Sequence, residues 1–181
     1  MAEKRTEFES LGGNNLDGIG GNAKKITYTA EDGSKKSIQI DCGMKFSDKA
    51  LTGVDNYIAP LECDDLLVTH AHADHIAGII HHIQMNPEKP LNIYADKFTH
   101  QFMFAEMTKQ GLPLDKMPTF HDVKDGEKFT VNGFEVEPVP VTHSAPGAIA
   151  FVVESPDGTR LMDNVGTIGI LPQLLSALGA L

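Results

Sequence analysis

The run Thr69-His70-Ala71-His72-Ala73-Asp74-His75 places three imidazoles and a carboxylate within six residues. Imidazole nitrogen and carboxylate oxygen are ligands for zinc, and equally for manganese or iron. On one continuous strand, alternate side chains would diverge to opposite faces of a sheet. On a tight loop between a strand end and a helix start, all four can converge. The small Ala71 and Ala73 leave room for the ligands to fold inward. Two more ligand types follow later apolar runs: His143 after VEPVPVT and Asp163 after TRLM. Strand ends along one edge of a layered fold gather together, so three chain segments can bring six ligands to one place. The set suits two ions. One takes His70, His72 and His143, the other takes Asp74 and His75, and the Asp163 carboxylate bridges them. Ions about 3.5–4 Å apart share a water, lower its pKa to near 7 and clamp the attacking and leaving oxygens. The bridging hydroxide is then the nucleophile, and Asp74 orients it or takes its proton.

The elements around the motif must deliver that loop. Residues 65–69, DLLVT, suit a buried strand. A helix follows from about Asp74, with Ile76, Ile79, Ile80 and Ile83 on one face. Pro87 and Pro90 end it. LNIYA reads as a strand, and Asp96 as the N-cap of a second helix bearing Phe98, Phe102 and Ala105, stopped by Gly111 and Pro113. Upstream, residues 5–11 read as a first strand. Residues 24–30 and 35–41 form a hairpin about Glu31-Asp32-Gly33, and residues 43–64 a long loop. Downstream, hairpins turn at Asn132-Gly133 and at Pro156-Asp157-Gly158, and the tail from Pro172 to Leu181 reads as a short apolar helix. Strands, helices and strands again predict a layered sheet-and-helix fold with mixed pairing.

Other candidates carry less. A lone histidine is usually structural. His81 and His82 fit a solvated helix face, and His100, on the second helix, and His121, in a loop, receive no role. Cys42 and Cys63 read as buried small hydrophobes. The glycine-rich stretch from Gly12 to Asn22 lacks the Lys and Ser/Thr of a P-loop, and reads as a tight turn that approaches the metal edge. Asp41, ending its strand before Cys42-Gly43, is either a carboxylate that holds a ligand imidazole or a simple turn-former.

The chain has 181 residues, suited to a single domain over 1–181, and a formal net charge of -10. Such a charge disfavours nonspecific RNA binding, because nucleic-acid binders usually carry a basic footprint. A pair of bound cations would reverse the sign locally, so the site itself can still take a phosphate. The amino terminus, MAEKRTEFES, lacks a signal-peptide apolar core, and no window approaches a membrane span. Two separated cysteines form no disulfide framework, which leaves the cytoplasm as the expected compartment and no membrane partner.

The ligand run HAHADH with His143 and Asp163 resembles the metal set of the metallo-β-lactamase superfamily. Further pieces, in order, resemble the amino-terminal half of the ribonuclease J enzymes of the β-CASP branch: Leu11-Gly12-Gly13, Ile19-Gly20-Gly21-Asn22, IDCGMKFSD, Gly53-Val54-Asp55, LVTHAHADHIAGI and Thr142-His143-Ser144. The resemblance runs over about residues 8 to 165. It implies an α/β (α+β layered) αββα sandwich, two zinc ions and hydrolysis of RNA phosphodiesters. It also implies that Ser144, beside a ligand, faces the scissile phosphate. The family pattern continues after its bridging Asp with Phe-Lys, whereas Asn164-Val165 follow here, and Met162 replaces a usual Gly. The family completes its second metal with a histidine far downstream, and residues 164–181 contain none. The expectation is therefore a shortened relative without the β-CASP domain and the later part of the sandwich. Its second site would be short of a ligand, and its uncovered apolar surface would favour self-association. Three functions follow: an RNA-processing phosphodiesterase, a metallohydrolase of small esters, thioesters or phosphodiesters, or a metal-binding remnant without turnover.

Overall fold

The hairpin turning at Asp32 and Gly33 joins β2 (Ala23–Thr29) to β3 (Lys35–Ile40), and β1 (Arg5–Gly12) pairs antiparallel with β2. This computed structural model describes residues 3–12, 21–45 and 57–163. Most of the glycine-rich stretch, Gly53-Val54-Asp55, Asn164-Val165 and the apolar tail lie outside the described residues. The segment expected to be one long loop contains a two-residue ladder instead, β4 (Met44–Lys45) with β5 (Tyr57–Ile58). Its strands are too short to show a period in the sequence.

From β6 (Asp65–Leu67) the chain alternates strand and helix. Helix α1 (Ala73–Met85) leads to β7 (Asn92–Ala95), and α2 (Lys97–Lys109) leads to β8 (Thr119–Asp122). Strands β3, β6, β7 and β8 pair in parallel, so the six-stranded sheet runs β1-β2-β3-β6-β7-β8. β8 replaces the loop expected around His121. The second sheet runs β12-β11-β10-β9, from β9 (Phe129–Val131), β10 (Phe134–Pro140), β11 (Ile149–Glu154) and β12 (Arg160–Asp163). Asn132 and Gly133 both adopt positive φ, 47° and 85°, as a tight two-residue hairpin turn requires.

Two apolar layers hold these parts together. Ile76, Ile79, Ile80 and Ile83 of α1 and Met103 and Met107 of α2 pack on Leu66, Val68 and Ile93 of the first sheet. Ile26, Ile38, Ile40 and Leu67 meet Phe134, Val136, Phe151 and Val153 between the sheets. The Asp96 carboxylate caps α2 by accepting from Phe98 N. The buried residues of α2 are Thr99, His100, Met103 and Met107, while Phe98 and Phe102 are half exposed. No described helix is long and apolar enough to cross a membrane.

The start of α1 lies directly on the loop after β3. Asn22 N donates to Asp74 O at 2.8 Å and Cys42 N to His75 O at 2.9 Å. A Cβ on Gly43 would overlap the Asp74 carbonyl, and one on Gly78 would come 2.7 Å from Cys42 O. The Gly43→Ala variant is expected to lose about 1–3 kcal/mol through this overlap. A thermal melt should show Tm lower by roughly 2–10 °C.

Candidate metal centre

β6 ends at Leu67, and the next five residues cross the mouth between the sheets before α1 begins. Val68 N donates to Tyr94 O at 2.9 Å, and Ile149 N donates to Thr69 O at 3.0 Å. The ligand loop is thereby tied to both sheets. His70 is fully buried, with Nε2 3.2 Å from His72 Nδ1. The loop after β10 brings the His143 ring to 4.4 Å from that of His70 and 5.1 Å from that of His72. Ligand nitrogens of all three lie within 4.8 Å of one another. Two nitrogens on a tetrahedral zinc stand about 3.4 Å apart. The trio therefore fits one ion with a small contraction. Burial, and then the neighbouring His75, push the His70 pKa down to about 3. Its imidazole is held neutral, the form that ligates.

The other candidates form a second cluster. Asp41 has φ 56° at the end of β3 and is buried. Its carboxylate accepts from Thr69 N at 2.9 Å and Thr69 Oγ1 at 2.8 Å, and stands 2.6 Å from His75 Nδ1. Thr69 Oγ1 is also 3.1 Å from His70 Nδ1. Asp41 thus holds the Thr69 backbone, the Thr69 hydroxyl and the His75 imidazole together. Burial opposes charge on His75, but Asp41 and Asp74 outweigh it and raise the pKa to about 10. Asp74 is held low, first by its hydrogen bond with His75. Asn22 Nδ2 reaches Asp74 Oδ2 at 3.1 Å and lies 3.0 Å from His75 Nε2.

Asp163, buried at the end of β12, is paired with the Lys24 ammonium from β2. Burial raises its pKa while Lys24 opposes the rise. Ser144 is exposed beside His143. The structure therefore brings His70, His72 and His143 together, joins Asp74 and His75 through Asn22 and Asp41, and gives Asp163 a lysine partner.

Several histidines sit differently from the expectation. His82 is not simply solvated, since its Nε2 lies 2.9 Å from Ala59 O. His100 is buried with Nδ1 2.6 Å from Asp122 Oδ1. His121 stacks on Tyr94 at 4.5 Å. Cys42 and Cys63 are buried, and burial pushes their thiols up to about 12 and about 11. Sequence reasoning missed Thr69, Asn22 and Lys24 as parts of the centre. Thr69 directly precedes the HAHADH run, and Asn22 ends the glycine-rich stretch. Lys24 shares a face of β2 with Ile26, and its acidic partner is 139 residues away.

A family model for the beta-lactamase superfamily domain matches residues 37–162. Ribonuclease J of Mycoplasma genitalium is 28% identical over 167 residues, covering 87% of this chain and 27% of that protein. Ribonuclease J of Mycolicibacterium smegmatis is 31% identical over 130 residues, covering 67% of this chain and 22% of that protein. The chain thus spans 27% and 22% of the length of these two curated relatives. Among solved structures, the metallo-β-lactamase fold protein YhfI from Bacillus subtilis aligns with TM-score 0.57 and 17% identity, over 88% of this chain and 61% of that one. Zn(2+)-bound PqqB from Methylobacterium extorquens aligns with TM-score 0.55 and 17% identity, over 84% and 52%. At such identities the structural likeness speaks for the fold alone.

Proposed function

Because this chain belongs to the β-lactamase superfamily, we propose that it is a metal-dependent hydrolase acting as a ribonuclease J-like RNA phosphodiesterase. The observation that carries the reading is the convergence of His70, His72 and His143 within 4.8 Å at the mouth between the sheets. The similarity to ribonuclease J supplies the substrate class. His70, His72 and His143 would hold a divalent ion, zinc or equally manganese or iron, which when bound would supply Lewis acidity to a phosphodiester and acidify water. His70, buried and neutral, anchors the set. Asp74, held ionised beside His75, accepts the proton of the attacking water. Ser144, exposed beside His143, donates its hydroxyl to the phosphate. Asp74, His75 and Asp163 line the adjacent space, where the resemblance puts a second ion.

The net charge of -10 favours a second reading, hydrolysis of a small ester, thioester or phosphodiester. A labelled RNA oligonucleotide and a small chromogenic phosphodiester, each incubated with metal-loaded protein, separate the two. We expect RNA cleavage that EDTA abolishes and that Asp74→Ala lowers by about 100-fold or more, as for a lost general base. Turnover of the small substrate alone would favour the second reading. Equal activity of wild type and Asp74→Ala would remove the catalytic assignment.

A further inference from the structure

We propose that Lys24 supplies the second positive charge of the centre, so that the chain takes one divalent ion, on His70, His72 and His143, with Asp163 neutralised by an ammonium. The inference rests on the metal-dependent reading above and changes its stoichiometry.

The Asp163 side chain is only 3% exposed, and a carboxylate so buried needs a cationic partner. In a two-ion site the ions provide it. Here β2 does. Lys24 pairs with Ile40 across the β2–β3 ladder and shares a strand face with Ile26, which lies in the core between the sheets. Its side chain therefore enters the same mouth from the first sheet as Asp163 enters from the second. Its Nζ meets Asp163 Oδ1. The remaining groups on that side are engaged as well. Asp74 accepts from Asn22, and His75 contacts Asp41, Asp74 and Asn22. A second ion would have to displace the ammonium or sit beside it, and like charges at that range repel. The histidine trio brings its ligand nitrogens within 4.8 Å of one another without a contribution from Asp163.

The test is a count of ions. Metal-stripped protein is titrated with zinc alone and read by native mass spectrometry, for wild type, Lys24→Gln and Lys24→Arg, with circular dichroism to confirm folding. We expect one ion per chain in wild type and Lys24→Arg, and two in Lys24→Gln, where Asp163 is released. Two ions per wild-type chain would overturn the proposal whatever the variants do. One ion in all three folded proteins would overturn the role of Lys24. No ion in wild type would instead remove the metal-dependent reading on which the proposal stands.

Discussion

Alanine in place of His72 is expected to strip the centre of its ion and to lower metal-dependent hydrolysis by about a thousandfold. Lewis-acid assistance is worth several kcal/mol of transition-state stabilisation, and each 1.36 kcal/mol is tenfold in rate, so about 4 kcal/mol is lost. His72 is a better test than His70. His70 is completely buried, and its removal would leave a hole beside Thr69 and confound ligation with stability. His72 is only partly buried, at the tip of the loop before α1, where truncation costs little packing. The variant should melt within about 1 kcal/mol of wild type without metal, as surface substitutions usually do. It should also lose the stabilisation that added metal gives wild type. Retained activity at the wild-type level would show that the imidazole trio is not the catalytic centre.

The second large effect is expected at Asp41. Its carboxylate receives Thr69 N and Thr69 Oγ1 and pairs with His75, all inside the protein. Replacing it with Asn removes the charge and turns one acceptor into a donor facing hydrogen-bond donors. Breaking a buried pair from one side costs about 3–5 kcal/mol. Urea unfolding should therefore show that loss. The same change frees Thr69 Oγ1, which stands 3.1 Å from His70 Nδ1, so His70 loses its orientation. Metal affinity should fall about tenfold or more, as when a group holding a ligand imidazole is lost. Unchanged stability in Asp41→Asn would mean that the Asp41–His75 pair contributes nothing net.

Much of this architecture is legible locally. The isoleucine period of α1 and the apolar run before it place the ligand loop. Turn residues place the hairpins at Asp32-Gly33, Asn132-Gly133 and Asp157-Gly158, because each turn's geometry is set by its own residues. The Asp96 cap is visible for the same reason. β8 is not, since Thr119-Phe120-His121-Asp122 is a short edge strand whose assignment depends on pairing with β7. The exposure of Phe98 and Phe102 is equally unreadable, because which face of α2 is buried depends on the sheet beneath it. The histidine trio is legible because its residue types are rare in combination. Lys24 is not, because a lysine on a strand looks solvated until the opposite sheet brings Asp163 to it.

The parallel pairing of β3 with β6 has a kinetic consequence. A parallel neighbour cannot be reached by a tight turn, so the loop after β3 closes only after a long excursion of chain, at an entropic cost that precedes any contact energy. The centre then waits again for His143 and Asp163 to arrive on the second sheet. Its groups come from residues 22, 24, 41, 69–75, 143 and 163, nearly the whole length of the described chain. Contacts of such sequence separation form late and slow folding. On the proposed metal-dependent reading, metal uptake would report completed folding: a chain with only its first sheet assembled has two of the three imidazoles of the trio.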